Sequence, residues 1–203
     1  MEIISKALFT IANALLVPDI VLLIFFFFRA LVLLGATYSA FLTRRRVGRL
    51  LDGDIDALQP EALPQLRQKV QEAGAEGSRF TQYLGQLLSH EPDADYADYL
   101  VSRFEIETAK EVNLSRLLAK LGPVLGLIGT LISMSPALVG LSTGDISGMA
   151  YNMQVVFSAT VVGLVISVVG LFTQQLKSRW YAKDLGRLDY VSRLYVERHE
   201  KEA

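Results

Sequence analysis

Residues 121–140 of the chain are LGPVLGLIGTLISMSPALVG, a run of 20 residues without a charged side chain. A helix of that length rises about 30 Å, which is the thickness of the hydrocarbon core of a bilayer. Residues 150–172 are also uncharged, and in residues 20–42 Arg29 is the one charged residue. Because backbone polar groups in lipid must be satisfied within the segment, the sequence predicts three transmembrane helices.

The charged residues are concentrated outside these three stretches. Hydrophobic residues make up 51% of the 203-residue chain and charged residues 20%, and 36 of the 41 charged side chains fall in 43–120 and 177–203. A soluble domain carries nearer a quarter charged residues and distributes them along its length. We therefore predict an all-α integral membrane protein, and the net charge of −1 argues against nucleic acid as a partner.

Lysine and arginine residues indicate the orientation. They follow the first predicted span, precede the second and follow the third, and they are absent from residues 141–149 (Arg44, Arg45, Arg46, Arg49, Arg116, Lys120, Lys177 and Arg179). By the positive-inside rule the N-terminus lies outside and the C-terminus in the cytoplasm.

The predicted organisation follows from the three spans and this orientation. A short amphipathic helix over about residues 3–17 lies in an outer N-terminal segment, 1–19. Residues 43–120 form a cytoplasmic helical domain, 141–149 an outer loop and 173–203 a cytoplasmic C-terminal helix. Since the chain has no Gly or Pro from Asp93 to Gly122, we expect one long helix to run from about Asp93 into the second span.

Small residues recur along one face of the second and third spans. Their spacing alternates between steps of three and four residues (Gly122, Gly126, Gly129, Ser133, Pro136 and Gly140; then Thr160, Gly163, Ser167 and Gly170). Such stripes allow two helix backbones to approach closely in lipid. Helix packing alone would account for them.

Two threonines add hydroxyl groups near the middle of the membrane. Thr130 is nine residues in from Leu121 and Thr160 ten in from Ala150, which corresponds to about 14 and 15 Å at the helical rise. Hydroxyl groups at this depth can bond to their own helix, bond to another helix or line a wet path for an ion. The spacing does not choose among these.

The second and third spans contain no Asp, Glu, His or Lys, and therefore no group that titrates near neutral pH. A relay of threonines can pass a proton but cannot hold one. We expect the chain to need a second protein to complete a channel. No catalytic set or metal-ligand cluster is evident in the sequence, so we expect no enzymatic activity, no metal and no cofactor.

Two charged residues near the first span have alternative interpretations. Arg29 is tenth of the 23 residues in 20–42, where a charge is costly and is a candidate for ion handling; a structural or lipid contact is the alternative. Asp19 follows Pro18 and suits a helix start, with an outer ion funnel as its alternative.

The segments G122-P-V-L-G-L-I-G-T130 and S158-A-T-V-V-G-L164 resemble the second- and third-span motifs of the MotA/TolQ/ExbB proton-channel family, and most of all its ExbB/TolQ branch. The predicted topology is similar as well. The resemblance implies a homo-oligomeric, pentameric ring in the inner membrane of a prokaryote, surrounded by membrane lipids. Its pore would hold the single membrane helices of an ExbD/TolR/MotB-like partner dimer.

The resemblance also implies roles for single residues. An aspartate of the partner would take the proton, Thr130 and Thr160 correspond to the threonines around it, and Pro123 corresponds to a helix-entry proline. The glutamate that ExbB-like proteins carry five residues before the third-span threonine is Val155 here. Gln154 beside it is a candidate neutral substitute, and the transported ion is left as H⁺ or Na⁺.

The predicted function is the ring-forming channel or stator subunit of a two-component membrane motor that converts ion-motive force into mechanical work. The alternative is a non-conducting oligomeric scaffold or sensor, which needs no partner with a membrane aspartate. The candidate ion-pathway and partner-facing residues are Thr130, Thr160, Ser133, Ser167 and Gln154. The candidate helix-packing residues are Gly122, Pro123, Gly126, Gly129, Gly163 and Gly170.

Overall fold

The computed structural model describes residues 2–55, 62–73 and 78–202, which form five α-helices and no strand. The helices are α1 (Glu2–Ile55), α2 (Leu63–Ala73), α3 (Arg79–Ser89), α4 (Ala94–Thr143) and α5 (Ile146–Glu202). By length and composition, α1, α4 and α5 can each cross a membrane. The predicted fold class, all-α with three transmembrane helices and long helical extensions, is confirmed, and the ring stays a prediction.

The long helix predicted to enter the second span is also confirmed. α4 begins at Ala94 and continues without a break to Thr143, past both of its prolines, Pro123 and Pro136. A proline inside a helix removes one backbone hydrogen bond. With long stretches of intact helix on either side, that loss does not end the helix.

The N-terminal end of α1 differs from the prediction. The helix is continuous from Glu2 to Ile55 and has Pro18 in its interior. Residues 3–17 are therefore not a helix separate from the first span, and the interpretation of Asp19 as a helix start is wrong. Residues 2–34 contain no glycine, so the missing hydrogen bond of Pro18 is the one backbone interruption in this part of α1.

The connection between α4 and α5 is shorter than the predicted loop 141–149. α4 ends at Thr143 and α5 begins at Ile146, which leaves Gly144 and Asp145 between the helices. Gly144 has a φ of +77°, in the left-handed region where a residue with a Cβ is disfavoured. The glycine therefore allows the chain to turn directly after the last helical residue.

Hydrogen bonds close this turn on both sides. The Asp145 N–H donates to the Gly140 carbonyl at 2.8 Å and the Gly144 N–H donates to the Leu141 carbonyl at 3.3 Å, the pattern of a Schellman C-terminal cap. The Asp145 carboxylate then accepts from the Gly148 N–H at 2.9 Å, which caps the start of α5. One aspartate thus ends one helix and begins the next.

The chain divides into two compact units. We call Met1–Leu34 with Asn113–Gln174 the apolar unit, and Gly35–Val112 with Gln175–Ala203 the polar unit. α1, α4 and α5 contribute residues to both.

The polar unit has a hydrophobic core to which all five helices contribute. Its buried members come from one residue of α1, three residues each of α2 and α4, five of α3 and two of α5 (Ile55; Leu63, Leu66, Val70; Ala97, Leu100, Phe104; Phe80, Tyr83, Leu84, Leu87, Leu88; Leu188, Val191). The short helices α2 and α3 bury one face each in this core, as expected for amphipathic helices.

Charged groups join the long helices within the polar unit. The Glu111 carboxylate accepts a hydrogen bond from the Tyr181 hydroxyl and pairs with the Arg79 guanidinium. The Arg44 guanidinium lies 2.5 Å from the Asp184 carboxylate and donates to the Trp180 carbonyl at 3.3 Å. These contacts link α1 to α5 and α4 to α5.

The apolar unit is built on close contact between the backbones of α4 and α5. A Cβ at Gly122 would overlap the Gly163 carbonyl oxygen, and a Cβ at Gly163 would overlap the Gly122 carbonyl oxygen and lie 3.0 Å from the Gly126 Cα. A Cβ at Gly170 would likewise overlap the Ala119 backbone nitrogen. The glycine stripes are therefore packing surfaces at which any side chain would separate the helices.

We expect Gly163→Ala to lower the free energy of unfolding of the detergent-solubilised protein by about 1–3 kcal/mol, and with it the melting temperature. The backbone atoms around the new methyl group cannot rotate away from it. Circular dichroism during heating measures the change. Gly35→Ala is the matched control, since nothing lies within 4 Å of a Cβ there and alanine favours a helix by up to about 1 kcal/mol. Equal melting temperatures for the two variants would contradict the packing role.

A second prediction concerns pH. Burial raises the pKa of the Tyr181 phenol above its ordinary value of 10.0, and the hydrogen bond to Glu111 and its negative charge raise it further. A raised folded-state pKa gives stability that is present below 10.0 and is lost as the pH rises above it. We expect Tyr181→Phe to cost about 1 kcal/mol at neutral pH and less as the pH rises past 10.0.

Thermal unfolding of the parent and of Tyr181→Phe at several alkaline pH values measures the difference in stability between them, which should decrease as the pH rises. Tyr99→Phe is the control, because the Tyr99 side chain is exposed. A difference between the parent and Tyr181→Phe that stays constant with pH would show that the phenol does not stabilise the polar unit through its proton.

Candidate functional site

The candidate site residues divide by exposure. The packing glycines of α4 and α5 are buried, as are Ser133 and Ser167 (the glycines are Gly122, Gly126, Gly129, Gly163 and Gly170). Thr130 and Thr160 are half-buried. Pro123, Gln154 and Arg29 are exposed. The glycines and the two serines therefore lie inside the apolar unit. The threonines lie at its edge, where a neighbouring copy, a partner helix or lipid can reach them.

Both threonine hydroxyls bond to their own helix. The Thr130 hydroxyl donates to the Leu127 carbonyl at 2.7 Å, and the Thr160 hydroxyl donates to the Val156 carbonyl at 3.1 Å. This is the first of the three arrangements that the spacing left open. A hydroxyl has one proton and two acceptor lone pairs, so each oxygen can still accept a hydrogen bond from another group.

Ser167 makes a different bond, from α5 to α4. Its hydroxyl donates to the Ala119 carbonyl at 2.9 Å, and both groups are buried. Pro123 explains why this carbonyl needs a donor. Proline has no N–H, so the carbonyl four residues earlier, that of Ala119, has no helical partner. Ser167, predicted to line an ion path, thus satisfies a carbonyl that Pro123 leaves free.

Three further polar side chains of the apolar unit are buried without a hydrogen-bond partner among the described residues. They are the hydroxyls of Ser115 and Ser133, on α4, and the carboxylate of Asp19, on α1, of which both oxygens lack a partner. Asp19 is 4% exposed. A Cβ at Gly129 would lie 2.9 Å from an Asp19 carboxylate oxygen and 3.9 Å from a Leu23 methyl group, so α1 packs on α4 at this level.

Two features of the site, the contact of Asp19 with α4 and the link between Pro123 and Ser167, had only weak signals in the sequence. Asp19 interrupts a stretch from residue 7 to residue 28 that has no other charged residue, but the sequence does not state which helix faces it. The link between Pro123 and Ser167 needs the relative register of α4 and α5. Only the position of a proline, and hence of a free carbonyl, could be read from the sequence.

The bond between Ser167 and Ala119 generates a double-mutant prediction. Ser167→Ala leaves the Ala119 carbonyl buried and unpaired, and we expect a loss of about 1–3 kcal/mol of stability. In a Pro123→Ala background the new N–H of residue 123 can bond to that carbonyl, so the same serine substitution should cost markedly less. Chemical unfolding of the four proteins in detergent gives the coupling energy, and strictly additive effects would contradict the link.

Comparison with known proteins gives one match. No curated protein sequence and no solved structure matches the chain. The model of the MotA/TolQ/ExbB proton channel family matches residues 78–189, more than half of the chain, and this range contains the candidate residues of α4 and α5. The role of a proton channel family is transport across a membrane and not enzymatic catalysis. With three helices long and apolar enough to cross a membrane, the protein is a multi-pass membrane protein. The chain belongs to the MotA/TolQ/ExbB proton channel family.

Proposed function

We propose that this chain is the ring-forming subunit of a two-component, proton-driven membrane motor. The observation that carries the proposal is the α4–α5 hairpin of a proton-channel family member, packed through glycines and bearing Thr130 and Thr160 at its edge. The ring would surround the membrane helices of a single-span partner dimer of the ExbD/TolR/MotB type. A pentamer is the stoichiometry that the resemblance implies.

The two threonines would act on a proton carried by the partner. Each hydroxyl already donates to its own helix, so its oxygen is the atom available to a donor from outside, such as a protonated carboxyl group of the partner. Rotation of the hydroxyl would then pass a proton onward. Moving one charge through the membrane potential releases about 2.3 kcal/mol per 100 mV, which is the energy available for mechanical work.

The proposed location is the inner membrane of a prokaryote, with the N-terminus outside and the C-terminus in the cytoplasm. The distribution of lysine and arginine supports this orientation, since eight basic residues border the cytoplasmic ends of the predicted spans and none lies in residues 141–149. The polar unit, with its own core, would then be the cytoplasmic part.

The experiment begins with a complex purified from native membranes and tests whether a single-span protein with a membrane aspartate accompanies the chain. The complex is then reconstituted into liposomes, and proton flux under an imposed potential is followed with a trapped pH dye. We expect Thr130→Val with Thr160→Val to lower the flux by about tenfold or more, which corresponds to a barrier raised by about 1.4 kcal/mol.

Thr10→Val is the matched control, because the Thr10 hydroxyl also bonds to its own helix, donating to the Lys6 carbonyl at 2.9 Å. Flux through this variant should equal that of the parent. Parent-level flux through the double threonine variant would remove the threonines from the ion path. A complex without a partner and without flux would favour the oligomeric scaffold over the motor.

A further inference from the structure

We propose that the chain carries a proton-binding carboxyl group of its own inside the membrane bundle, that of Asp19. This inference rests on the proposed function, because it adds a group to the same ion path. The second and third spans contain no Asp, Glu, His or Lys, and the family resemblance implies an acid supplied by a partner. The structure brings one to them from α1.

The depth of Asp19 follows from its contact with α4. Its carboxylate lies beside Gly129, which is eight residues from Leu121 and eleven from Gly140. At the helical rise these separations are about 12 and 16 Å, so Asp19 lies near the middle of the second span. Asp19 would be at the outer surface if the first span began at residue 20.

The same register places the rest of α1. Ala30 and Leu33 belong to one buried cluster with Leu118, which lies before the cytoplasmic end of the second span. The segment of α1 that faces the second span is therefore approximately residues 7–28. Lys6 and Arg29 flank this segment, so Arg29 belongs at its cytoplasmic edge and not at the membrane centre.

The surroundings of Asp19 favour a proton as its ligand. Both carboxylate oxygens are buried without a partner among the described residues. Residues 121–140 of α4 and 150–176 of α5 contain no charged residue, and the nearest basic residues of α1, Lys6 and Arg29, are 13 and 10 residues away, or about 20 and 15 Å. A lone carboxylate in such a place is costly, and protonation removes its charge.

A metal cation fits this place less well. Hard cations take several oxygen ligands, and the described residues contain no group of three or more His, Cys, Asp or Glu side chains that could hold a metal ion. A proton needs one carboxyl oxygen. The step is the reversible reaction of the carboxylate with H⁺ to give the neutral acid, with no other bond changed.

The position of Asp19 also connects it to the threonine level. A Cβ at Gly129 would lie 2.9 Å from both the Asp19 carboxylate oxygen and the Ala159 methyl group, and Ala159 precedes Thr160 in the chain. Val155, where the resemblance leads one to expect a glutamate, is one turn before Ala159. Asp19 of α1 thus lies about one helical turn, or about 6 Å, from the level of α5 at which the family carboxyl is missing.

The first test uses the purified chain without a partner and a hydrophobic carbodiimide, dicyclohexylcarbodiimide, which reacts with protonated carboxyl groups in apolar surroundings. Peptide mass spectrometry should find the adduct on Asp19 and not on exposed Asp145, and labelling should decrease as the pH rises. Absence of the adduct on Asp19 at every pH would overturn the proposal. Protection of Asp19 by Na⁺ at constant pH would replace the proton with sodium and would also overturn it.

The second test uses the reconstituted complex. Asp19→Asn keeps the shape and hydrogen-bonding ability of the side chain but cannot bind a proton, and we expect flux to fall by tenfold or more while the oligomer and its partner stay associated. Asp19→Glu should restore most of the flux. A structural role alone predicts parent-level flux for Asp19→Asn.

The outcomes separate this inference from the proposed function. If the parent complex carries no proton flux, the motor is wrong, and the carbodiimide result still decides whether Asp19 binds a proton. If the parent conducts and Asp19→Asn conducts equally, only the role of Asp19 is wrong. Should Asp19→Asn fail to assemble, the pH dependence of labelling in the parent decides.

Discussion

The direct contact between the backbones of Gly122 and Gly163 determines where the other groups of the apolar unit lie. Because no side chain separates α4 from α5 at this point, the next residues along the two helices are also close, and Ser167 can reach the Ala119 carbonyl. The missing side chain of Gly129 likewise leaves room for a side chain from α1. Glycine on two helices therefore positions a serine, a free carbonyl and a carboxylate.

Pro123 and Ser167 of the apolar unit act on the same backbone carbonyl, that of Ala119. Pro123 removes a helical hydrogen bond without ending α4, and the hydroxyl of Ser167 replaces the missing donor from a neighbouring helix. A polar group inside lipid must find its partner within the protein, so the two residues depend on each other. The threonines differ, because their bonds are local and leave their oxygens available to other molecules.

Much of this fold could be predicted from the sequence, since charge-free stretches and glycine spacing report directly on membrane helices and their packing faces. The three apolar helices were predicted in this way, the long α4 from a stretch without Gly or Pro, and the family from the resemblance of two motifs, and all three predictions are confirmed. The depth of Asp19 could not be predicted, because residues 7–42 are apolar for longer than one membrane crossing and only contact with Gly129 sets the register. Likewise, hydropathy gave no sign that Gly144 and Asp145 alone would turn the chain.

That two-residue turn has a mechanical consequence. Its hydrogen bonds join the Gly140 carbonyl of α4 and the N–H groups of Gly148 and Met149 in α5 to the same residue, Asp145, and the glycine contacts hold the helices together further along. Such a hairpin has no flexible residues at its turn, so α4 and α5 are expected to move as one rigid body. A displacement or rotation of α5 would therefore displace α4 as well.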